Sequence, residues 1–187
     1  YAKEKKKYDE QKRKINNRYF MAFDWIEGKT LKAEEITEKH CEIVGEILAK
    51  IHNIDFSEIE DNERKKINIE QFDWNKYLEL AKRKNKDYLN ILEKNIDLLY
   101  ELNKKSNEAI KYANENLIIS HTDLDRKNVI WQEYKPFIID WEASGYINPT
   151  IELIQVAWYW SGGDVENLDY NKFEIVVNSY KKNSKNE

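Results

Sequence analysis

The spacing of apolar residues changes abruptly near residue 117, and no other feature limits the fold as much. Up to Ala113 the apolar and aromatic residues recur at three- and four-residue steps: Ile36, His40, Ile43, Val44, Ile47, Leu48 and Ile51, then Trp74, Tyr77, Leu78 and Ala81, then Tyr88, Ile91, Leu92, Leu99, Leu102, Ala109, Ile110 and Ala113. Each set is one stripe of an amphipathic helix. Beyond 117, "LIIS" (117–120), "VIW" (129–131) and "FIID" (137–140) show no helical period and are bounded by polar segments, so they read as small buried strands. The chain is therefore expected to be α+β and mainly helical, with short strand pairs in place of an open sheet.

Local signals place the boundaries. "RYFMAFDWIEG" (18–28) reads as a strand with an abrupt exit at Gly28, and Thr37 or the earlier Thr30 begins the first helix. Residues 55–68 lose the period, become highly charged and form a loop; the next two helices are expected to be antiparallel neighbours. Asn148 is a credible N-cap with Pro149 at the first helical position, where its missing N–H matters little, and that helix should run to about Ser161 before Gly162 and Gly163 stop it. A last helix runs through Phe173, Val176, Val177 and Tyr180. Only five glycines and two prolines occur, which predicts long elements with few tight turns.

Composition removes several classes of function. With 187 residues and 41% apolar content the chain can bury the core of one domain with a small appendage. A formal net charge of −4 argues against a nucleic-acid or anionic-membrane binder, and the basic start "YAKEKKKYDEQKRK" reads as a solvated, frayed terminus. The acidic loop of Glu58, Glu60, Asp61 and Glu63 is likewise read as solvated, since lysines follow it. Cys41 is the single cysteine, which excludes an internal disulfide and suits a reducing compartment. No apolar run reaches membrane-spanning length and no leader pattern opens the sequence, so a soluble cytoplasmic protein is expected.

The polar side chains gather at the ends of the small strands. "HTDLDRKNVIW" (121–131) holds His121, Asp123 and Asn128, and Asp140 closes the next apolar run. A turn needs only Asp, Asn or Gly for its geometry, and this set exceeds that need. If "VIW" and "FIID" pair through "QEYKP", Asn128 and Asp140 become neighbours. Their amide and carboxylate oxygens are hard ligands suited to Mg²⁺, which keeps its other positions for water and phosphate. Asp123 is then placed to accept a proton from a hydroxyl nucleophile.

"HTDLDRKN" fits the H-x-D-x-x-x-x-N catalytic loop of the protein-kinase-like fold, and "FIIDWE" fits its second metal-binding segment. The forms "ISHTDLDRKNVIW" and "IIDWEASGYINPTIEL" resemble the aminoglycoside phosphotransferase and choline kinase group, as do "LAKIHNID" (48–55) and the hinge-like "FDWIEG" (23–28). The resemblance spans roughly residues 18–160 and implies the large, C-terminal lobe of that fold, with small β-hairpins carrying the catalytic loop. It divides the chain into 1–28, a basic segment with the last small-lobe strand and the hinge, and 29–187, a helical lobe with catalytic loop 121–128 and metal segment 137–142. It implies Asp123 as catalytic base and Asn128 and Asp140 as Mg²⁺ ligands. His121 then supports the loop. The hinge implies that the Asp24 carbonyl and the Ile26 N–H meet the purine of ATP or GTP, with Phe23 behind it. Glu142 stands between a metal-site and a structural role.

The sequence also departs from that group. Thr122 stands where Gly is usual, Arg126 and Lys127 replace a Pro-Gly pair and are expected to face solvent, and Asn148 and Glu152 stand where aspartates are usual. The first glycine is Gly28, so no Gly-rich phosphate loop or strand lysine precedes the hinge, and the chain reads as a truncated hinge plus large lobe. The expectation is the acceptor lobe of an ATP- and Mg²⁺-dependent small-molecule O-phosphotransferase, inactive alone, of the kind that confers antibiotic resistance. Its partners are then a nucleotide and a small hydroxylated substrate. The rivals are a non-catalytic module that binds a partner or pairs with a second copy through the uncovered surface, and a metal-dependent hydrolase using His121, Asp123 and Asp140. Among the remaining residues, His40 is expected to pack on its helix, His52 to hydrogen-bond at a helix end, and Trp158, Tyr159 and Trp160 to pack in different directions.

Overall fold

A computed structural model describes residues 12–21, 23–56, 71–163 and 167–185. Most of the basic start and the acidic loop of Glu58, Glu60, Asp61 and Glu63 lie outside the described residues. The described part is mainly helical, with three two-stranded antiparallel ladders. Strand β1 (Lys12–Ile15) pairs with β2 (Arg18–Met21) through Asn16 and Asn17, whose φ values of 48° and 63° are both positive, the geometry a tight hairpin favours. Two expectations change here. Lys12–Lys14, read as frayed terminus, are strand, and the strand read over 18–28 stops at Met21. Residues 23–28 carry strand-like composition but make no ladder, and Phe23 and Trp25 are exposed.

Helix α1 (Glu38–His52) starts after Thr37 and buries Cys41, Val44, Gly45, Leu48 and Ala49 along one face. Helices α2 (Trp74–Arg83) and α3 (Leu89–Ala113) are antiparallel neighbours: the Asn75 N–H meets the Tyr100 hydroxyl at one end, and Lys82 pairs with Glu93 at the other. Strand β3 (Ile118–Ser120) then leads into the loop at 121–128. Strands β4 (Val129–Gln132) and β5 (Lys135–Ile138) form the expected hairpin, pairing Val129 with Ile138 and Gln132 with Lys135. A short strand missing from the sequence reading, β6 (Gly145–Ile147), pairs back with β3. Helix α4 (Pro149–Trp160) is capped by Asn148, whose Oδ1 accepts from the Thr150 and Ile151 N–H groups, and α5 (Tyr170–Asn183) completes the lobe.

The core lies between α1, α4 and α5, with β4 closing it: Cys41, Val44, Leu48, Val156, Ala157, Trp160 and Val176 are buried, and Trp131 and Leu124 join them. Trp160 points inward with no exposure. Burial pushes the Cys41 thiol up to about 11, so it behaves as an apolar side chain. Few glycines did not mean few turns. Among the described residues, four of the seven non-glycine residues with positive φ are asparagines, which tolerate that conformation. No helix of the described residues is long and apolar enough to cross a membrane.

Candidate active site

The loop at 121–128 is held by its own side chains. His121 is fully buried; its Nδ1 lies 3.3 Å from the Asp123 N–H and accepts from it, which leaves Nε2 protonated to donate to the Ile139 carbonyl at 3.0 Å. Its ring meets Trp141 edge-on at 4.7 Å. Both imidazole nitrogens thus serve the backbone, one in the loop and one beside Asp140. Asn128, buried, donates through Nδ2 to the Asp123 carbonyl at 2.7 Å and to Asp123 Oδ2 at 2.9 Å. The Asn128 carbonyl in turn accepts from the Ile139 N–H at 2.9 Å. The β4–β5 register therefore sets residue 139 against Asn128, and Asp140 follows at once. Asp140 is exposed and left-handed, with φ of 63°.

Asp123 points outward, its side chain about one-third exposed. Lys127 Nζ reaches its Oδ2 at 3.2 Å. That contact, with Asp125 and Asp140 adding their charge, holds the lysine ammonium above its ordinary value. Arg126 turns to Asp125, 3.7 Å from Nε to Oδ1, on the flank of the loop. Both contacts on Asp123 fall on Oδ2, so Oδ1 remains to accept a proton. The donor set suits Mg²⁺: Asn128 uses both amide hydrogens on Asp123 and keeps its oxygen for a cation, and Asp140 adds a carboxylate. His121, with both nitrogens engaged, has no nitrogen left for the metal that a hydrolase would need. Among the described residues no three His, Cys, Asp or Glu side chains converge as a metal set.

Beneath the loop lies a buried polar chain that the sequence reading missed. Glu152 on α4 is fully buried and accepts from the Thr122 N–H at 2.7 Å and contacts His52 Nε2, the last residue of α1, at 2.7 Å. His52 Nδ1 meets the Tyr180 hydroxyl on α5 at 2.8 Å. Burial lifts the Tyr180 phenol above its ordinary value, so it remains a donor. A glutamate and a histidine on the apolar stripes of two helices were the available signals, since neither is buried without a partner. Trp160 adds a further tie, donating from Nε1 to the Leu124 carbonyl at 3.0 Å.

The residues expected to form a hinge sit beside the same hairpin. Lys29 and Trp131 exchange backbone hydrogen bonds of 3.1 and 2.8 Å, and Gln132 Nε2 donates to the Glu27 carbonyl at 2.6 Å. Gly28, with φ of 151°, lies so close that a Cβ would stand 2.6 Å from the Trp131 carbonyl oxygen. Phe23 is 76% exposed, and among the described residues no hydrogen bond engages the Asp24 carbonyl or the Ile26 N–H.

A profile of the phosphotransferase enzyme family matches residues 6–175. No curated protein matches the chain. Among solved structures it is similar to a spectinomycin phosphotransferase in complex with ADP and spectinomycin, with 16% identity, a TM-score of 0.59 and coverage of 91% of this chain and 55% of that one. It is also similar to an ethanolamine kinase of Plasmodium vivax, with 20% identity, a TM-score of 0.56 and coverage of 87% and 52%. A choline kinase from Cryptosporidium parvum follows, with 16% identity, a TM-score of 0.52 and coverage of 87% and 54%. At these identities the likeness is one of fold, the protein-kinase-like fold, and the chain spans about half the length of the solved structures it matches.

Proposed function

Since the chain belongs to the phosphotransferase enzyme family, we propose that it is the catalytic and acceptor lobe of an ATP- or GTP-dependent O-phosphotransferase acting on a small hydroxylated molecule. The observation that carries this reading is the strapping of Asp123 to the Asp140 segment through His121 and Asn128. One carboxylate is thereby aimed outward with an oxygen to spare, beside a pair of hard oxygen donors.

In the reaction the acceptor hydroxyl oxygen bonds to the γ-phosphorus and the bond from that phosphorus to the bridging oxygen breaks. The hydroxyl proton passes to Asp123 Oδ1, and the nucleoside diphosphate leaves with the electron pair. Asn128 and Asp140 would hold Mg²⁺, which when bound supplies charge neutralisation on the phosphates. Residues 1–28 comprise the basic segment, the last small-lobe strand and, at 23–28, a hinge that offers the Asp24 carbonyl and the Ile26 N–H to a purine edge beside Phe23, and residues 29–187 form the lobe.

The test is phosphoryl transfer from labelled ATP to a panel of hydroxylated small molecules by the product of the full reading frame. Asp123→Asn is expected to lower kcat by about 100-fold or more with an unchanged Tm. Undiminished transfer in that variant rejects Asp123 as the base.

A further inference from the structure

Two cations stand in the loop where the related enzymes have a Pro-Gly pair, and the structure separates them. Arg126 turns to Asp125 on the loop's flank. Lys127 turns to Asp123 while staying largely exposed: its Nζ lies 3.2 Å from Asp123 Oδ2, and the charges of Asp125 and Asp140 act on it as well. The ammonium thus pairs with the proposed base and feels the charge of two further carboxylates, one of them the proposed metal ligand. Its side chain is 64% exposed, so a small rotation of a flexible stem, not a backbone movement, redirects it.

We propose that Lys127 is a phosphoryl-binding residue that exchanges Asp123 for the γ-phosphoryl group of the bound nucleotide. This rests on the phosphotransferase reading above. In the absence of nucleotide, the lysine neutralises the base and lessens repulsion among the three aspartates. An arriving triphosphate brings more negative charge and more acceptor oxygens than one carboxylate, so it competes for the ammonium and wins. Asp123 is released to the acceptor hydroxyl as the phosphoryl group arrives. The position is well placed for the purpose, because Lys127 is in the same short turn as Asn128, and the turn is pinned by the Asn128 N–H bond to the Asp125 carbonyl at 3.0 Å.

The contact is to the γ group, so it discriminates ATP from ADP. With the product of the full reading frame and saturating Mg²⁺, calorimetric titration of ATP and ADP into wild type, Lys127→Met, Lys127→Arg and Asp140→Asn separates the outcomes. Lys127→Met is expected to weaken ATP about tenfold and to leave ADP within about twofold, a charge-assisted contact being of that size, and Lys127→Arg to retain most of the ATP affinity. A merely structural lysine would move both nucleotides together or neither, and either result overturns the proposal while wild-type binding and its loss in Asp140→Asn keep the phosphotransferase reading intact. If wild type binds neither nucleotide, the phosphotransferase reading fails and this proposal falls with it.

Discussion

At φ of 64°, Thr122 occupies backbone space that a β-branched residue avoids and that glycine enters freely. Two contacts offset the strain: its Oγ1 donates to the Ala143 carbonyl at 2.6 Å, and its N–H meets Glu152. Thr122→Val keeps the strain and loses the first contact, and should destabilise by about 1–2 kcal/mol, whereas Thr122→Gly should be milder. The reverse order in urea midpoints would mean the hydroxyl contributes nothing. His40 supplies a pH effect. Its Nδ1 accepts the Thr37 N–H at 3.1 Å, its ring packs on Trp131 at 4.7 Å, and burial pulls its pKa below the ordinary 6.5. Above pH 6.5 the ring is neutral folded and unfolded. As pH falls below that value the unfolded chain takes up a proton the folded one resists, so stability drops until the lowered folded pKa is passed. The loss between pH 7.5 and 5.5 should shrink in His40→Gln; an identical loss would place the effect elsewhere. The sequence reading put His40 and His52 correctly within helices, but a residue's partner is a long-range fact that spacing does not encode.

Helix α1 approaches α5 closely enough to require glycine. A Cβ on Gly45 would stand 2.4 Å from the Val176 carbonyl oxygen, and Ser179 Oγ donates to the Glu42 carbonyl at 2.6 Å across the same contact. The neighbour is backbone, so the helices must part. Gly45→Ala should therefore be destabilising overall, since overpacking of about 1–3 kcal/mol outweighs the gain of at most about 1 kcal/mol in helix propensity. A higher Tm would show slack between the helices. Element ends were legible where local chemistry sets them, at Asn148, and at Thr37 as one of two candidate starts. Asn148 also explains its own departure from aspartate: its Nδ2 donates to the Glu115 carbonyl at 3.0 Å, closing the end of α3, and a carboxylate has no hydrogen to give. Strand β6 was not legible, because three residues carry no period and its partner lies upstream of the whole site.

Across the whole lobe, the buried chain from Tyr180 through His52 and Glu152 to Thr122 joins three helices to the loop that bears Asp123. The side chains of His52 and Glu152 are 0% and 1% exposed, so removing either leaves the other without its partner in a dry interior. Glu152→Ala should cost about 3–5 kcal/mol, and a double-mutant cycle with His52→Ala should show strong coupling. Independent, additive losses would mean the two groups do not depend on each other. Any loosening should reach Asp123 through Thr122, so surviving Glu152 variants are expected to lose phosphoryl transfer ahead of fold.

The helices, strands β3 to β5, the loop and the order of its polar residues followed from short-range signals: apolar spacing, caps, and the separation of Asp123, Asn128 and Asp140 along the chain. Those signals act within a few residues, so one sequence is enough to read them. Only tertiary structure decided that Lys127 rather than Arg126 pairs with Asp123 and that Glu152 is buried against His52, 100 positions away. Such choices depend on which surfaces packing brings face to face, and on desolvation that does not exist until the core has closed.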